Sequence, residues 1–393
     1  MYNLPEEIIC EILNRLENTV DVINFSLTCK QNRKIILQNK DIFNCVSTFN
    51  NKFIDKIDEI DIIGKLKIIN PKKINKLIID KVIELKSSSF INVDILEKVK
   101  KLNLSNSILI DDVSKLGNCE ELNLSWCINI RDVSMLGKVI KLNLTGCELI
   151  YDVSMLGNVK RLNLSGCRNI IDISKLGNVE ELDLSYCDKI TDVSNLGNVK
   201  KLNLSNCINI RDVSMLGKVN KLNLSGCINI IDVSKLGKVK KLNLSGCINI
   251  IDVSKLGNVK ELNLSNCNKI YDVSKLVKVK KLNLSNCNKI YDVSNLKNCI
   301  ELNLTRCLNI SDISMLSKVK FLNLNGCSKI IDVSMLENVK KLILCNCYNI
   351  TDVSMLKNCE ELDLSFCHGI TDISMLGNVK KINLYGCKNI KMN

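Results

Sequence analysis

Cysteine offers the most chemistry in this sequence, because the chain of 393 residues contains 21 cysteines. Fourteen of them recur every twenty residues from Cys127 to Cys387, and Ser107 occupies the first place of the series. Regularly spaced thiols could bind metal or carry out redox chemistry. Zinc sites, however, need closely spaced, converging ligands, whereas this series contains no C-x-x-C and only one of its cysteines, Cys367, has a histidine beside it. We therefore predict interior turn residues with weakly donating S–H groups, and neither a metal nor a cofactor.

Two other patterns could suggest catalysis. Asp followed by Val or Ile and then Ser occurs fourteen times, first at 112–114 and last at 372–374, so this triplet cannot mark one active site. The single histidine, His368, is interpreted as a surface residue of a repeat turn rather than as a catalyst. The sequence contains no glycine-rich phosphate loop, nucleophile elbow or metal constellation. We therefore predict that the chain is not an enzyme.

A twenty-residue repeat defines the elements that position these residues. The pattern L-x-L-x-x-C-x-x-I-x-D-[VI]-S-x-L-x-x-[VC]-x-x occurs in fifteen copies, which start at positions 102 through 382 without an insertion. In V-K-K-L-N-L-S the apolar and polar residues alternate, which predicts a strand whose Leu102 and Leu104 point inward. One unit cannot bury its inward side chains alone, whereas stacked units can. The repeat therefore predicts a solenoid of parallel strands.

The rest of each repeat predicts turns. D-V-S-x-L predicts a short capped turn in which the aspartate accepts backbone N–H groups. Glycine, from Gly117 to Gly257, is expected where the chain turns back toward the next strand. Asn or Asp fills fourteen of the fifteen outward places between Asn103 and Asn383, and only Ile343 interrupts this row. We expect its amides to hydrogen-bond along the sheet as part of the scaffold rather than to form a ligand site.

The repeat resembles two known patterns. V-x-x-L-x-L-x-x-C-x-x-I resembles the leucine-rich repeat, in which Asn or Cys at this place bonds the backbone of the neighbouring turn. I-x-D-[VI]-S-x-L resembles the convex half of internalin-like repeats, although these units are two residues shorter and lack the proline after the serine. The resemblance implies an α/β fold, a leucine-rich-repeat solenoid shaped as a horseshoe with a concave parallel β-sheet, and a protein-binding role.

The resemblance also divides the chain. Residues 102–393 are interpreted as the solenoid, and residues 46–101 as degenerate first repeats or an N-terminal cap, with a strand at Leu77 and Ile79.

Residues 1–45 lie outside the repeat. Pro5 followed by two glutamates predicts a helix start, and apolar residues then recur at helical spacing. The stretch resembles the F-box pattern L-P-x-E-I, I-L-x-x-L, an acid, C-K and Arg, with Asn32 where that family often has Trp. The matching residues are Leu4, Pro5, Glu7, Ile8, Ile12, Leu13, Leu16, Asp21, Cys29, Lys30 and Arg33.

The F-box resemblance implies a small three-helix domain that binds the Skp-family adaptor of cullin–RING ubiquitin ligases. The adaptor-binding residues would be Leu4, Pro5, Glu7, Ile8, Ile12, Leu13 and Leu16. The alternative interpretation is a helical cap for the solenoid, and both can hold together.

Composition limits the compartment and the partners. The net charge of +13 is interpreted as biased composition plus solubility, with a basic binding patch as the alternative. No secretory signal and no apolar run of 18 residues is present, so we expect no membrane partner, a reducing compartment and free thiols, although neighbouring thiols could oxidise in vitro. We expect a cytoplasmic protein, with the nucleus as the alternative. The composition and architecture resemble proteins from large DNA viruses of amoebae, which would place it in the host cytoplasm.

An F-box followed by leucine-rich repeats resembles the substrate receptors of SCF-type ubiquitin ligases. The alternative is a stoichiometric scaffold or inhibitor without a ligase. A third interpretation, which we consider unlike the charge pattern of most DNA-binding proteins, is nucleic-acid binding. That interpretation would use Lys141, Lys201, Lys221, Lys241 and Lys281.

The target site is expected where the outward pattern breaks, because binding energy concentrates in apolar and aromatic anchors. We predict anchors at Phe321, Ile343, Phe366 and Tyr385, with Glu361 and Lys381 as a charged rim. Phe321 and Ile343 are expected on successive strands about 5 Å apart. Drift of terminal repeats is the alternative explanation of these residues. We also expect end-to-end self-association at the C-terminal end of the solenoid.

Overall fold

The computed structural model describes residues 47–49, 66–69, 82–86, 93 and 96–390. The chain divides into two compact units, one up to Asn169 and one from Ile170. The predicted helices within residues 1–45 and the predicted strand at Leu77 and Ile79 lie outside the described residues.

Each unit contains parallel strands that are joined one repeat at a time. The strands of the first unit are β1 Ser47–Phe49, β2 Leu66–Ile69, β3 Val82–Lys86, β4 Lys101–Asn103, β5 Glu121–Asn123, β6 Lys141–Asn143 and β7 Arg161–Asn163. Those of the second unit are β8 Glu181–Asp183, β9 Lys201–Asn203, β10 Lys221–Asn223, β11 Lys241–Asn243, β12 Glu261–Asn263, β13 Lys281–Asn283, β14 Glu301–Asn303, β15 Phe321–Asn323, β16 Lys341–Ile343, β17 Glu361–Asp363 and β18 Lys381–Asn383.

The strand register repeats the sequence register. Leu222 lies opposite Leu242, twenty residues further on, and this spacing recurs at the other pairs of the regular repeats. The first strands are spaced differently, because Leu85 pairs with Leu102 and Ile68 pairs with Leu85. Parallel strands with constant register confirm the predicted solenoid.

The predicted inward residues form an aliphatic core. Leu102 and Leu104 are 3% and 0% exposed, whereas Lys101 on the same strand is exposed. The Ile, Val or Ile, Leu, and Val or Cys that follow in each repeat are also buried, except near the C-terminal end, where Ile373, Val379 and Ile390 are half-buried. Burying a leucine or isoleucine contributes about 1.5–3 kcal/mol, so stacking supplies what a single repeat lacks.

Short 3₁₀ helices follow the strands in most repeats. Those of the first unit are Ser114–Leu116, Ser134–Lys138 and Ser154–Asn158. Those of the second unit are Ser174–Asn178, Ser194–Asn198, Ser214–Lys218, Ser234–Lys238, Ser254–Leu256, Ser294–Leu296, Ser314–Leu316, Ser334–Leu336, Ser354–Asn358 and Ser374–Leu376. Within the described residues, no helix has the length and apolar character that crossing a membrane requires.

The Asp-x-Ser triplets begin these helical turns. The backbone N–H of Ser114 donates to Oδ1 of Asp112 over 2.8 Å, and the same bond recurs along the chain. This hydrogen bond lowers the pKa of the Asp112 carboxyl. The predicted role of the aspartate as a turn cap is therefore confirmed.

Glycine near the 3₁₀ helices serves close packing rather than an unusual backbone conformation. Gly117 has φ −63°, which any residue adopts, so the expectation that this glycine is needed for a turn was wrong. A Cβ atom at Gly117 would lie 2.3 Å from the backbone oxygen of Met135 in the next repeat. Glycine at this place therefore allows two backbones to approach each other.

The left-handed conformation occurs elsewhere, at the residue just before each cysteine, which we call the pre-cysteine position. All fifteen repeats have positive φ there, and eleven carry Asn or Gly, the residues that adopt this conformation most readily. The four exceptions are Trp126, Tyr186, Arg306 and Phe366. A bulky residue in this conformation costs roughly 1–2 kcal/mol.

The outward asparagines act within their own repeats. Oδ1 of Asn103 accepts the backbone N–H of Ser105 over 3.1 Å, and Asn or Asp makes this bond in fourteen repeats. Among the described strands, only the bond from Nδ2 of Asn203 to Asp183 joins two side chains of this row along the sheet, so the expected ladder of amides was mostly wrong. A different row connects repeats: Nδ2 of Asn229 donates to the Ile208 carbonyl over 2.8 Å.

Candidate functional site

The cysteine series is part of the interior. The thiol of Cys127 is buried and donates to the Leu104 carbonyl over 3.1 Å, and equivalent bonds of 2.9–3.2 Å recur to Cys387. These bonds confirm the predicted contact with the neighbouring turn. Burial raises the pKa of the Cys147 thiol to about 12, so little reactive thiolate forms near neutral pH. The folded chain therefore disfavours the oxidation that we considered above.

The described cysteines do not form a metal centre. All eighteen cysteines of the described residues are free. Within residues 96–390, no group of three or more His, Cys, Asp and Glu side chains is arranged to hold a metal ion. The chemistry of these thiols is therefore hydrogen bonding to the backbone.

The exposed sheet face consists of the first and third residue of each strand from β4 to β18. Charges alternate along much of this face. Oε1 of Glu121 lies 3.2 Å from Nζ of Lys101 and 2.8 Å from Nζ of Lys141. Glu361 similarly lies 2.7 Å from Lys341 and 3.1 Å from Lys381. Hydrogen bonds from these lysines lower the pKa of the Glu361 carboxyl. Exposed pairs of this kind are each worth about 0–1 kcal/mol, so they balance charge more than they stabilise the fold.

The five lysines considered for nucleic-acid binding are mostly neutralised. Four of them, Lys141, Lys201, Lys241 and Lys281, each pair with a glutamate on a neighbouring strand. Lys221 makes no ion pair with any residue that the structure describes. This pairing argues against the row as a nucleic-acid interface.

Two predicted anchors lie on neighbouring strands but not opposite each other. Phe321 begins β15, is 43% exposed and faces Lys341 across the sheet. Ile343 ends β16, is half-buried and faces Asn323. The two residues therefore lie on successive strands, as expected, but at diagonal rather than opposite places. Ile343 also lacks the side-chain oxygen that accepts a backbone N–H in the other repeats.

Phe366 and Tyr385 come together at the end of the strands. Their rings meet edge to face with centroids 5.4 Å apart. His368 lies 6.5 Å from Phe366 and stacks on Tyr348 at 5.8 Å. We call these four residues the aromatic cluster. The sequence interpretation treated His368 as an isolated surface residue and did not single out Tyr348, because neither belongs to the strand face.

Phe366 does not lie on the strand face itself. It occupies the pre-cysteine position with φ +59° and is 38% exposed. A Cβ atom at Gly386 would lie 2.6 Å from its ring, so this ring covers the glycine of the next repeat. Trp126 covers Gly146 in the same way, at 2.7 Å. A glycine at the pre-cysteine position twenty residues after a bulky one was a sequence signal for this packing.

Exposed apolar residues also occur away from the exposed sheet face. A row immediately before the Asp-x-Ser aspartates includes Tyr151, Ile171, Ile231, Ile251, Tyr271, Tyr291 and Ile331, all about half exposed or more. The sequence analysis did not single out this row. Exposure alone therefore does not distinguish the apolar residues that replace polar consensus residues on the sheet side. Their clustering does.

The comparisons with known proteins separate the two parts of the chain. Residues 1–44 match the family model of the F-box domain. No curated protein matches the chain.

Three solved structures are similar to the chain. The functional domain of InlJ from Listeria monocytogenes, which includes a cysteine ladder, is 22% identical, with 73% of this chain and 67% of that chain covered and a TM-score of 0.52. Internalin InlF from Listeria monocytogenes is 21% identical, with 89% and 92% covered and a TM-score of 0.50. The LRR protein LIC12759 from Leptospira interrogans is 18% identical, with 84% and 92% covered and a TM-score of 0.53. At these identities, the likeness shows the fold.

Proposed function

We propose that this chain, a leucine-rich-repeat solenoid with an F-box domain at its N-terminus, is a substrate receptor of an SCF-type cullin–RING ubiquitin ligase. The F-box would bind the Skp-family adaptor, the repeats would bind a target protein, and other subunits would transfer ubiquitin. The observation that supports this function is the combination of the F-box match at residues 1–44 with a parallel-strand solenoid. Both modules are typically non-catalytic and mediate protein interactions.

The proposed target surface lies around β15 to β18. Phe321, Ile343, Phe366 and Tyr385 would be its anchors, with Glu361 and Lys381 as the rim. Support comes from the edge-to-face contact of Phe366 with Tyr385 and from the partial exposure of Phe321. Large, partly rigid aromatic side chains supply much of the binding energy at protein interfaces.

The receptor would work in the cytoplasm, with the nucleus as the alternative compartment. Each donated S–H bond, such as that from Cys227 to Leu204, would be lost if the sulfur were oxidised.

Adaptor binding tests the ligase assignment directly. The full-length chain should co-purify with the Skp-family adaptor, and the double change Leu4→Ala and Pro5→Ala should abolish this association. The circular dichroism of the solenoid should remain unchanged. Lys255→Gln, an exposed change in the repeats, serves as the control that retains the adaptor.

Undiminished adaptor binding by the double variant would contradict the proposed F-box contact. A chain that captures a target protein but never the adaptor would instead be a stoichiometric binder.

A further inference from the structure

Lysines accumulate at the edge where strands β10 to β13 begin. Seven exposed lysines lie there without an ion pair to any described residue: Lys218, Lys221, Lys238, Lys240, Lys260, Lys278 and Lys280. We call these seven residues the basic stripe. It lies entirely in the second unit. Its lysines occupy three places relative to the strands: the first strand residue, the residue before it, and the place three residues before the strand.

The backbone stacks these lysines directly on one another. The N–H of Lys260 donates to the Lys240 carbonyl over 3.1 Å, and the N–H of Lys280 donates to the Lys260 carbonyl over 3.0 Å. Lys221 lies opposite Lys201 on one side and Lys241 on the other. Like charges in such positions repel each other, so the fold gains nothing from this arrangement.

The same rows are balanced elsewhere in the chain. Just before β16, β17 and β18, the corresponding residues are Lys340, Glu360 and Lys380. The Glu360 carboxylate lies 3.7 Å from Nζ of Lys340 and 3.3 Å from Nζ of Lys380. The chain therefore contains both versions of one row: Lys–Glu–Lys with ion pairs, and Lys–Lys–Lys without them. The repeat itself does not require the unbalanced version.

Acidic residues limit the length of the stripe. Glu180 and Glu181 pair with lysines on one side of it, and Glu301 pairs with Lys281 on the other. Four strands cover about 14 Å along the sheet, which matches four to five residues of an extended polypeptide. The flanking carboxylates of β8 and β14 are six strand spacings, about 29 Å, apart. An anionic ligand of four to six residues therefore fits between these limits, whereas a much longer one would meet the flanking carboxylates.

We infer that the basic stripe binds a short, extended acidic segment of a protein, rich in Asp and Glu. Carboxylates that alternate along an extended chain repeat every second residue, about 7 Å apart. Lysine ammonium groups on flexible stems can follow that spacing from strand to strand. This surface is separate from the aromatic cluster, and the inference holds with or without adaptor binding.

The composition around the stripe disfavours nucleic acid. Proteins that bind single strands stack bases on aromatic side chains. Between residues 198 and 283 the sequence has one aromatic residue, Tyr271, which precedes the capping Asp272 rather than a strand. Glu261 also lies within the region and pairs with Lys241. An acidic polypeptide needs only charge and an extended backbone.

The test uses the full chain and fluorescein-labelled hexaglutamate, measured by fluorescence anisotropy at about 150 mM salt, where charges act over roughly 8 Å. The decisive variant is Lys260→Glu, which converts the row into the Lys–Glu–Lys pattern that the chain already tolerates at Glu360. The matched control is Lys255→Glu, the same charge change on an exposed 3₁₀-helix residue of a neighbouring stretch.

We expect wild type and Lys255→Glu to bind hexaglutamate equally within about twofold, and Lys260→Glu to bind at least about tenfold more weakly. Hexaglutamine should not bind. The inference is overturned if hexaglutamate does not bind wild type, if both variants lose affinity equally, or if oligothymidylate of the same length binds more tightly. Adaptor co-purification is measured separately on Lys260→Glu and should be unchanged, which distinguishes this test from that of the ligase assignment.

Discussion

The repeats of β11 to β13 and those of β16 to β18 have the same interior and different exteriors. Leu244 and Leu344 are both fully buried, and Cys267 and Cys367 donate to equivalent carbonyls. Outside, the first region is basic and almost free of aromatics, whereas the second has balanced charge and an aromatic cluster. The comparison teaches that the buried residues of a repeat fix its geometry, while the exposed ones are free to create two surfaces of different chemistry.

The largest expected effect tests whether the two interiors are equivalent. Leu244→Ala and Leu344→Ala should each reduce the free energy of unfolding by about 2–5 kcal/mol, because each leaves a cavity in the same packed layer. Urea unfolding followed by circular dichroism measures both. A difference between them larger than about 1 kcal/mol would show that the interiors are not equivalent.

Acid should affect the two regions alike, because both begin their 3₁₀ turns with the same cap. A backbone hydrogen bond lowers the pKa of Asp212 and of Asp332 when folded. A lowered folded pKa gives stability that is present above the unfolded value, about 3.9, and is lost as pH falls through the folded pKa.

We therefore expect the urea midpoint to be nearly constant from pH 7 to pH 5 and to fall between pH 4 and pH 2. Asp212→Asn should flatten this dependence slightly, as a control for the assignment. A midpoint that does not change down to pH 3 would contradict the role of these caps.

The proposed target surface is the sharpest difference between the regions. Changing Phe321 on β15 to Lys and Ile343 on β16 to Asn gives these two places the consensus residues that the first region carries. We expect target affinity to fall by at least about 2 kcal/mol. Stability should be retained, because Asn at 343 restores the side-chain acceptor that the other repeats have.

The target would be isolated on the full chain with the proteasome inhibited, and its affinity measured by calorimetry. The adaptor should bind both forms equally. If the reverted chain binds this target as tightly as wild type, the site lies elsewhere on the solenoid.

The smallest expected effect distinguishes two glycines with the same backbone conformation. Gly246 has φ +73° and Gly386 has φ +76°, so alanine should cost roughly 1–2 kcal/mol at either. At Gly246 the new Cβ would meet only backbone at 3.7 Å, whereas at Gly386 it would displace the Phe366 ring.

Gly386→Ala should therefore weaken target binding as well as stability, while Gly246→Ala should change stability alone. Unfolding and target titration measured side by side on both variants check this. Equal target affinity of the two variants would show that the position of the Phe366 ring does not matter.

Sequence reasoning was most successful where one residue type has one local task. The alternation of Leu102 and Leu104 and the capping by Asp112 follow from spacing and side-chain chemistry, and the hydrogen bond of Cys127 was implied by the resemblance to leucine-rich repeats. It failed where the task depends on the partner. Asn103 bonds its own turn rather than its neighbour. Gly117 avoids a clash with the backbone of Met135, eighteen residues away, which no local pattern states.

The binding surfaces were harder to predict than the fold. Phe321 is the first residue of its strand and Ile343 is the third residue of the next one, so their numbers already imply a diagonal pair. The sequence interpretation used only the spacing between strands. From the sequence, Phe366 was interpreted as a strand residue. Its left-handed backbone conformation could be inferred only by comparing all fifteen pre-cysteine positions, eleven of which carry Asn or Gly. The basic stripe was hidden because Lys240, Lys260 and Lys280 precede the strand rather than belong to it.

The constant register has a consequence for the gene. Strands of the regular repeats pair with residues twenty positions away, and the thiols of the cysteine series bond carbonyls twenty-three positions back. Unequal recombination between the codons of 221–240 and 241–260 would thus delete or duplicate one whole repeat in frame, and every interior partner would be replaced by its equivalent. Evolution can therefore lengthen or shorten the basic stripe in steps of about 4.8 Å, the spacing of one strand, without a single new type of core residue.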